Sequence, residues 1–136
     1  MSNVFATAIS GMNAAMARFS NAVGNMVNVG STGKLPSTAG ERATSYYPTD
    51  VISLSNNTGD NHLGVRTQMV ERNNPYTVQR DESSLYANEE GLIAAPNIDL
   101  TAEIVDTIMA ELSYKANAKV IATQKGIEDS LLDTMA

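Results

Sequence analysis

The sequence predicts a mainly α fold, with an N-terminal and a C-terminal helix paired as a coiled-coil-like hairpin and a small β-hairpin and loop insertion between them. Three observations predict it. First, the four prolines are Pro36, Pro48, Pro75 and Pro96, all in the middle of the chain. Proline costs about 3 kcal/mol in a helix interior, so the two ends are free to be helical and the middle is not. Second, both ends repeat an apolar residue every three or four positions. Third, a turn cluster, Asn56-Asn57-Thr58-Gly59-Asp60-Asn61, separates two runs that suit strands. As domains, residues 1–30 and 97–136 make one discontinuous helical domain, and residues 31–96 make the insertion.

The first helix is read from Phe5, Ile9, Met12, Met16, Phe19, Val23 and Met26, which alternate steps of four and three. That is a coiled-coil seam, and a strand would need a period of two. Ser2 or Asn3 can cap its start, and Gly30 is a plausible stop. Ala8, Ala14, Ala15 and Ala22 widen the stripe with side chains small enough to permit close approach.

Residues 31–45 are rich in Ser, Thr and Gly and read as a mobile loop. A strand is expected around residues 50–55 and its hairpin partner over 63–71, where Val65, Thr67 and Met69 alternate with Arg66, Gln68 and Val70. Residues 73–95 read as polar and irregular.

The last helix follows Pro96-Asn97-Ile98, with Asp99 as its N-cap. Val105, Ile108, Leu112, Ala116, Val120, Thr123, Ile127 and Leu131 form its stripe, flanked by Ile104, Met109, Ile121 and Leu132. Glu103 and Asp106 sit near the positive end of the helix dipole. Glu111 precedes Lys115 by one turn, a pair worth a few tenths of a kcal/mol. Glu128, Asp129 and Asp133 oppose the dipole at the far end and suit solubility or a basic partner.

Burying the seven side chains of one stripe contributes at most on the order of 10–20 kcal/mol. Each stripe must therefore pack on something. Pairing the helices covers one line of each and leaves the flanks for neighbouring copies. Gly11, Gly24 and Gly126 each weaken a helix by about 1 kcal/mol, so the ends are expected to order on assembly. The alternative reading of the same stripes is an ordinary small helical core.

The remaining signals exclude function classes. The net charge is −6, and the nine basic residues are scattered. Nucleic acid and anionic membrane surfaces both need clustered cations, so neither is an expected partner. There are no cysteines, which removes disulfide and thiolate chemistry. No apolar run approaches the roughly 18 residues of a spanning helix. The N-terminal stretch has no basic residue before Arg18 and reads as mature protein instead of a signal peptide. His62 is the single histidine, in a turn, without the companions that a metal site needs. There is no phosphate loop, no GxGxxG and no nucleophile elbow, and Ser113-Tyr114-Lys115 lacks the spacing of a Tyr-x-x-x-Lys site. No catalytic residue, cofactor or metal is expected.

Two stretches resemble the bacterial flagellar rod and hook protein family. Ile9-Ser10-Gly11-Met12-Asn13-Ala14-Ala15, followed by Val23-Gly24-Asn25-Met26-Val27-Asn28-Val29, is similar to its N-terminal signature. Here Gly24 stands for the usual serine or asparagine, and Val27 stands for alanine. Gly91-Leu92-Ile93-Ala94-Ala95-Pro96-Asn97-Ile98-Asp99-Leu100, and later Tyr114-Lys115-Ala116-Asn117, are similar to its C-terminal pattern. The motif positions are thus Asn25, Asn28, Pro96, Asn97, Asp99 and Asn117. Asn25 and Asn28 either end the first helix or bond across subunits, and Tyr114 either anchors an interhelical contact or packs locally. The resemblance implies a non-enzymatic subunit exported without cleavage by the flagellar type III apparatus. It implies a periplasmic place in the basal body, as part of a hollow axial rod that transmits torque. The implied partners are copies of itself and other rod proteins. A soluble helical adaptor or chaperone-like module of a secretion apparatus is the alternative.

Overall fold

The computed structural model describes residues 2–38, 40–58 and 61–135. In chain order the elements are α1 (Ser2–Val27), β1 (Thr49–Thr58), β2 (Asn61–Glu71), β3 (Tyr76–Arg80), β4 (Leu92–Pro96) and α2 (Leu100–Met135). The strands form two separate two-stranded sheets, β1 with β2 and β3 with β4.

This corrects the expected mainly α architecture. The fold is mixed, two terminal helices with two small antiparallel sheets between them. The unexpected sheet lies in the region read as irregular. There β3 pairs antiparallel with β4, with Tyr76 opposite Pro96 and Val78 opposite Ala94. Leu92-Ile93-Ala94-Ala95-Pro96 is a continuous apolar run after Gly91, the pattern of a strand covered on both faces. Ile93, Ala94, Ala95 and Pro96 are all buried. Pro96 is tolerated because it ends the strand.

Contacts gather into two units. The first comprises residues 1–20, 51–68 and 106–136, and the second comprises residues 21–50 and 69–105. In the first unit, the α1 segment and the α2 segment run antiparallel. Ala15 and Ala110 line one groove, while Ala8 and Asn117 line another. The outer part of the hairpin also reaches α1. Val65 N–H donates to the Ser10 hydroxyl at 3.2 Å, and Arg18 donates to the Ser53 hydroxyl at 3.0 Å. Gly64, at φ +78°, lies so close to Ser10 that a Cβ there would collide with it.

In the second unit the segment after α1 is fastened, in contrast to the mobile loop expected of its composition. Gly33 and Ala94 exchange two backbone hydrogen bonds of 2.9 Å on the edge of β4. Tyr46 N–H donates to Ser31 O and Thr44 N–H to Lys34 O, both at 3.1 Å. Gly33 is needed here, since a Cβ would run into the backbone of Thr44 and Ser45. Arg42 lies 4.2 Å from the centre of the Tyr47 ring and bonds both carboxylate oxygens of Glu71 at 2.8 Å. The Glu71 hydrogen bond raises the Arg42 pKa above its ordinary value.

Candidate assembly surface

The buried parts of the two helices are small or polar. Ala8, Ala15 and Ala22 recur every seventh residue along α1, and all three are buried. Glu103, Ala110, Asn117 and Gln124 recur at the same interval on α2. Of these, Glu103 and Ala110 are buried, and Asn117 and Gln124 are half-buried. In the first unit Gly11 lets Asn117 approach so closely that a Cβ on Gly11 would lie 2.6 Å from its Oδ1. The expected aliphatic seam does not form, because alanine and glycine let the backbones approach more closely than leucine or phenylalanine would.

In the second unit the last turns of α1 meet a polar cluster centred on Asn25, which has no exposed surface. Its Nδ2 donates to Thr49 O at 2.9 Å and to Glu103 Oε1 at 3.1 Å. Its Oδ1 accepts from the Tyr46 hydroxyl at 3.1 Å and from Thr49 N–H at 3.2 Å. Asn21 also donates to Thr49 O, at 2.7 Å. Glu103, only 1% exposed, receives a 2.6 Å hydrogen bond from Arg72 Nη2. Arg72 Nε donates to Asp50 Oδ1 at 2.9 Å. Burial opposes the charge on Arg72, but its bonds to Asp50 and Glu103 prevail and its pKa is raised. The cluster meets the usual requirement that a buried charge be paired and hydrogen-bonded.

The large side chains are elsewhere. On α2, Val105, Ile108, Leu112, Val120, Ile127 and Leu131 are between 45% and 61% exposed. Ala116 and Tyr114 are exposed beside them. On α1, Ile9, Met16 and Phe19 are exposed, while Phe5, Met12, Val23 and Met26 are half-buried. Tyr114 lines an apolar groove of about 200 Å³ with Ala15, Met16, Phe19, Ala110 and Lys115. Exposed aliphatic residues repeated at three-four spacing along one helix face make that face a candidate contact surface.

The motif residues hold the ends of elements. Asn28 closes α1, its Nδ2 donating to Gly24 O at 2.9 Å. Asp99 caps α2, its Oδ1 accepting from Thr101 N–H at 2.8 Å and from Ala102 N–H at 3.2 Å. Asn97 donates to Asn74 O at 3.0 Å, and the adjoining Pro96 is buried. Asn117 donates to Ser113 O at 2.8 Å, one turn back along α2. Sequence reasoning missed Arg72 and Asp50, and placed Glu103 only with respect to the helix dipole. The seventh-residue spacing of Glu103, Ala110, Asn117 and Gln124 was the available signal for α2; nothing local marks Arg72 as the partner of Glu103.

His62 lies in β2, not in a turn, and its side chain is outside the described residues. Among the described residues, no three acidic or histidine side chains are placed to hold a metal, and no helix is long and apolar enough to cross a membrane.

Residues 89–134 match the family described as flagellar basal body rod FlgEFG protein, C-terminal. This stretch covers the run into β4, the Asp99 cap and most of α2. Over 127 residues, 92% of this chain and 90% of the relative, the sequence is 29% identical to the flagellar basal-body rod protein FlgC of Yersinia enterocolitica. With the same coverage it is 28% identical to FlgC of Escherichia coli O157:H7 and 27% identical to FlgC of Salmonella typhimurium. The chain is FlgC-like. The relatives it matches are named as flagellar basal-body rod proteins. The match runs nearly end to end, so the two sheets belong to the related region as much as the helices do.

Proposed function

We propose that the chain polymerises through its terminal helices, burying the exposed apolar ridges of α1 and α2 against other copies and other rod proteins. It then forms part of the proximal rod, a segment of a hollow drive shaft, after export by the flagellar type III apparatus into the periplasm. The terminal segments 1–30 and 97–136 act as the polymerising domain, and the insertion 31–96 tunes contacts with neighbours.

One observation carries this reading: the bulkiest aliphatic residues of α2 stay in water while alanine, asparagine and glutamate are buried. Covering six such side chains contributes on the order of 10 kcal/mol. That is comparable with the roughly 4–15 kcal/mol that association costs in lost freedom of motion. Length and stiffness suit the task, since α2 has 36 residues and extends about 54 Å at 1.5 Å per residue.

Sedimentation velocity and circular dichroism across a wide concentration range test it. Sedimentation coefficient and helical signal should rise together, ending in elongated particles by electron microscopy. A chain that stays monomeric with constant helicity at the highest soluble concentration defeats the reading.

A further inference from the structure

Residues 31–34 and 43–46 form two arms that are tied to each other. Tyr46 N–H donates to Ser31 O and Thr44 N–H to Lys34 O, both at 3.1 Å. Lys34 N–H returns a 2.7 Å bond to the Thr44 hydroxyl. Against the β3–β4 sheet, by contrast, the arms are lightly held. A single bridge joins them to β4, the pair of hydrogen bonds between Gly33 and Ala94. Among the described residues of 31–45, the buried ones are Gly33, Ala43 and Ser45. These are among the smallest residues, so docking removes little apolar area from water. Leu35, the large aliphatic residue of the segment, is only half-buried. The ion pair of Arg42 with Glu71 joins side chains that are 61% and 52% exposed, and such pairs hold weakly in solvent.

One buried group works against the docked state. Ser45 is 6% exposed, and its hydroxyl has no hydrogen-bond partner among the described residues. A hydroxyl shut away from water without a partner raises the free energy of the state that buries it. It regains water once the arms lift. Beneath them lies Ala94, fully buried, in the middle of the apolar strand β4. Alternation along an antiparallel pair turns the backbone N–H and C=O of Ala94 away from β3, and those of Ile93 and Ala95 toward it. Gly33 therefore covers the edge of β4 that β3 does not use.

We propose that the paired arms 31–34 and 43–46 are a strap that lifts off β4 as a unit, before the rest of the fold opens, and bares the strand edge at Ala94. Few buried apolar contacts are the mark of an element that opens locally, and the unpartnered Ser45 hydroxyl favours the open form. Closed, the strap denies the edge to other chains, since an unpaired strand edge is a template for strand addition. The strap does not depend on the terminal helices polymerising, and its failure leaves that reading standing.

Native-state hydrogen exchange on the full chain at low concentration, read residue by residue, tests this. The Gly33 and Ala94 amides should share one opening equilibrium, at least about tenfold larger than that of Ile93 and Ala95. The Thr44 amide, which is bonded within the strap, should stay better protected than that of Gly33. Ser45→Ala deletes the hydroxyl and should reduce the opening of Gly33 and Ala94 about fivefold, because the closed strap then buries no orphan polar group. An Ala94 amide as protected as those of Ile93 and Ala95 overturns the proposal, as does a Ser45→Ala chain that opens as readily as the wild type. Equal exchange of Thr44 and Gly33 means that the arms unravel separately, and it overturns the strap as a unit.

Discussion

The two faces of α2 invert the usual economy of a helix. One face places Glu103, Ala110, Asn117 and Gln124 at seven-residue intervals, buried or half-buried. The other places Val105, Ile108, Leu112 and Ile127 in solvent. An ordinary amphipathic helix buries its aliphatic stripe, because that is where the hydrophobic free energy lies. Here the buried face contributes less from area and more from geometry. Small side chains set a short interhelical distance, and a hydrogen-bonded acid fixes the register. On the proposed reading, the aliphatic free energy is held for contacts between subunits. The comparison teaches that exposure and hydrophobicity must be read together, since either one alone mistakes the face.

The largest expected effect falls on the buried side. Arg72→Ala removes the partner of a carboxylate that is 1% exposed and leaves that charge uncompensated. Breaking a buried pair in this way costs about 3–5 kcal/mol. The midpoint of urea unfolding should fall accordingly. Replacing both partners, Arg72→Met with Glu103→Leu, should recover most of the loss, because no orphan charge remains. If Arg72→Ala unfolds at the wild-type denaturant concentration, the cluster does not hold the helix register and the contrast between the faces dissolves.

Much of this arrangement was legible in the sequence, and the illegible parts share a cause. Proline positions and three-four spacing place both helices, and the alternation over residues 63–71 places β2, because each rests on local chemistry; of the expected turn cluster, Asn56, Asn57, Thr58 and Asn61 lie in β1 and β2, and residues 59–60 lie outside the described residues. The β3–β4 sheet escaped because β3 is only five residues, Tyr76, Thr77 and Val78 followed by the polar Gln79 and Arg80, and β4 is a run of five residues that reads equally well as a linker. Weighing stripes by bulk drew attention to Phe5 and Leu112, while Ala8, Ala15 and Ala22 registered only as a margin. The Asn25, Glu103 and Arg72 cluster joins positions up to 78 residues apart, and no local pattern encodes such a pairing. Asn25 was visible as a motif residue, although its four hydrogen bonds were not.

An intermediate effect tests the alanine side of the comparison. Ala110 is 2% exposed and shares the groove wall with Ala15. Ala110→Leu improves nothing in helix propensity, since leucine ranks just below alanine. It does force added volume into a closely approached contact, which typically costs 1–3 kcal/mol. A loss of about 2 kcal/mol in chemical denaturation is expected, with far-ultraviolet circular dichroism retained. An unchanged or higher stability means the helices have room for bulk, and the close approach is then incidental.

The smallest effect on folding is expected on the exposed ridge, and there the reading is most sharply divided from an ordinary helical core. Leu112 is 61% exposed, among the most accessible aliphatic side chains of mid-α2. Leu112→Gln exchanges residues of similar helix propensity at a position with little burial to lose. Surface changes of this kind stay within about 0.5 kcal/mol. The isolated chain should therefore unfold at nearly the wild-type denaturant concentration. Assembly should respond differently, because each subunit contact that buries this position would then enclose an amide without a partner, at roughly 1–3 kcal/mol. Since every added subunit incurs that penalty, the critical concentration for sedimentable particles should rise at least about fivefold, the factor that corresponds to 1 kcal/mol. A variant that is destabilised as a monomer places Leu112 in an intramolecular core; a variant that assembles at the wild-type concentration places it outside every subunit contact.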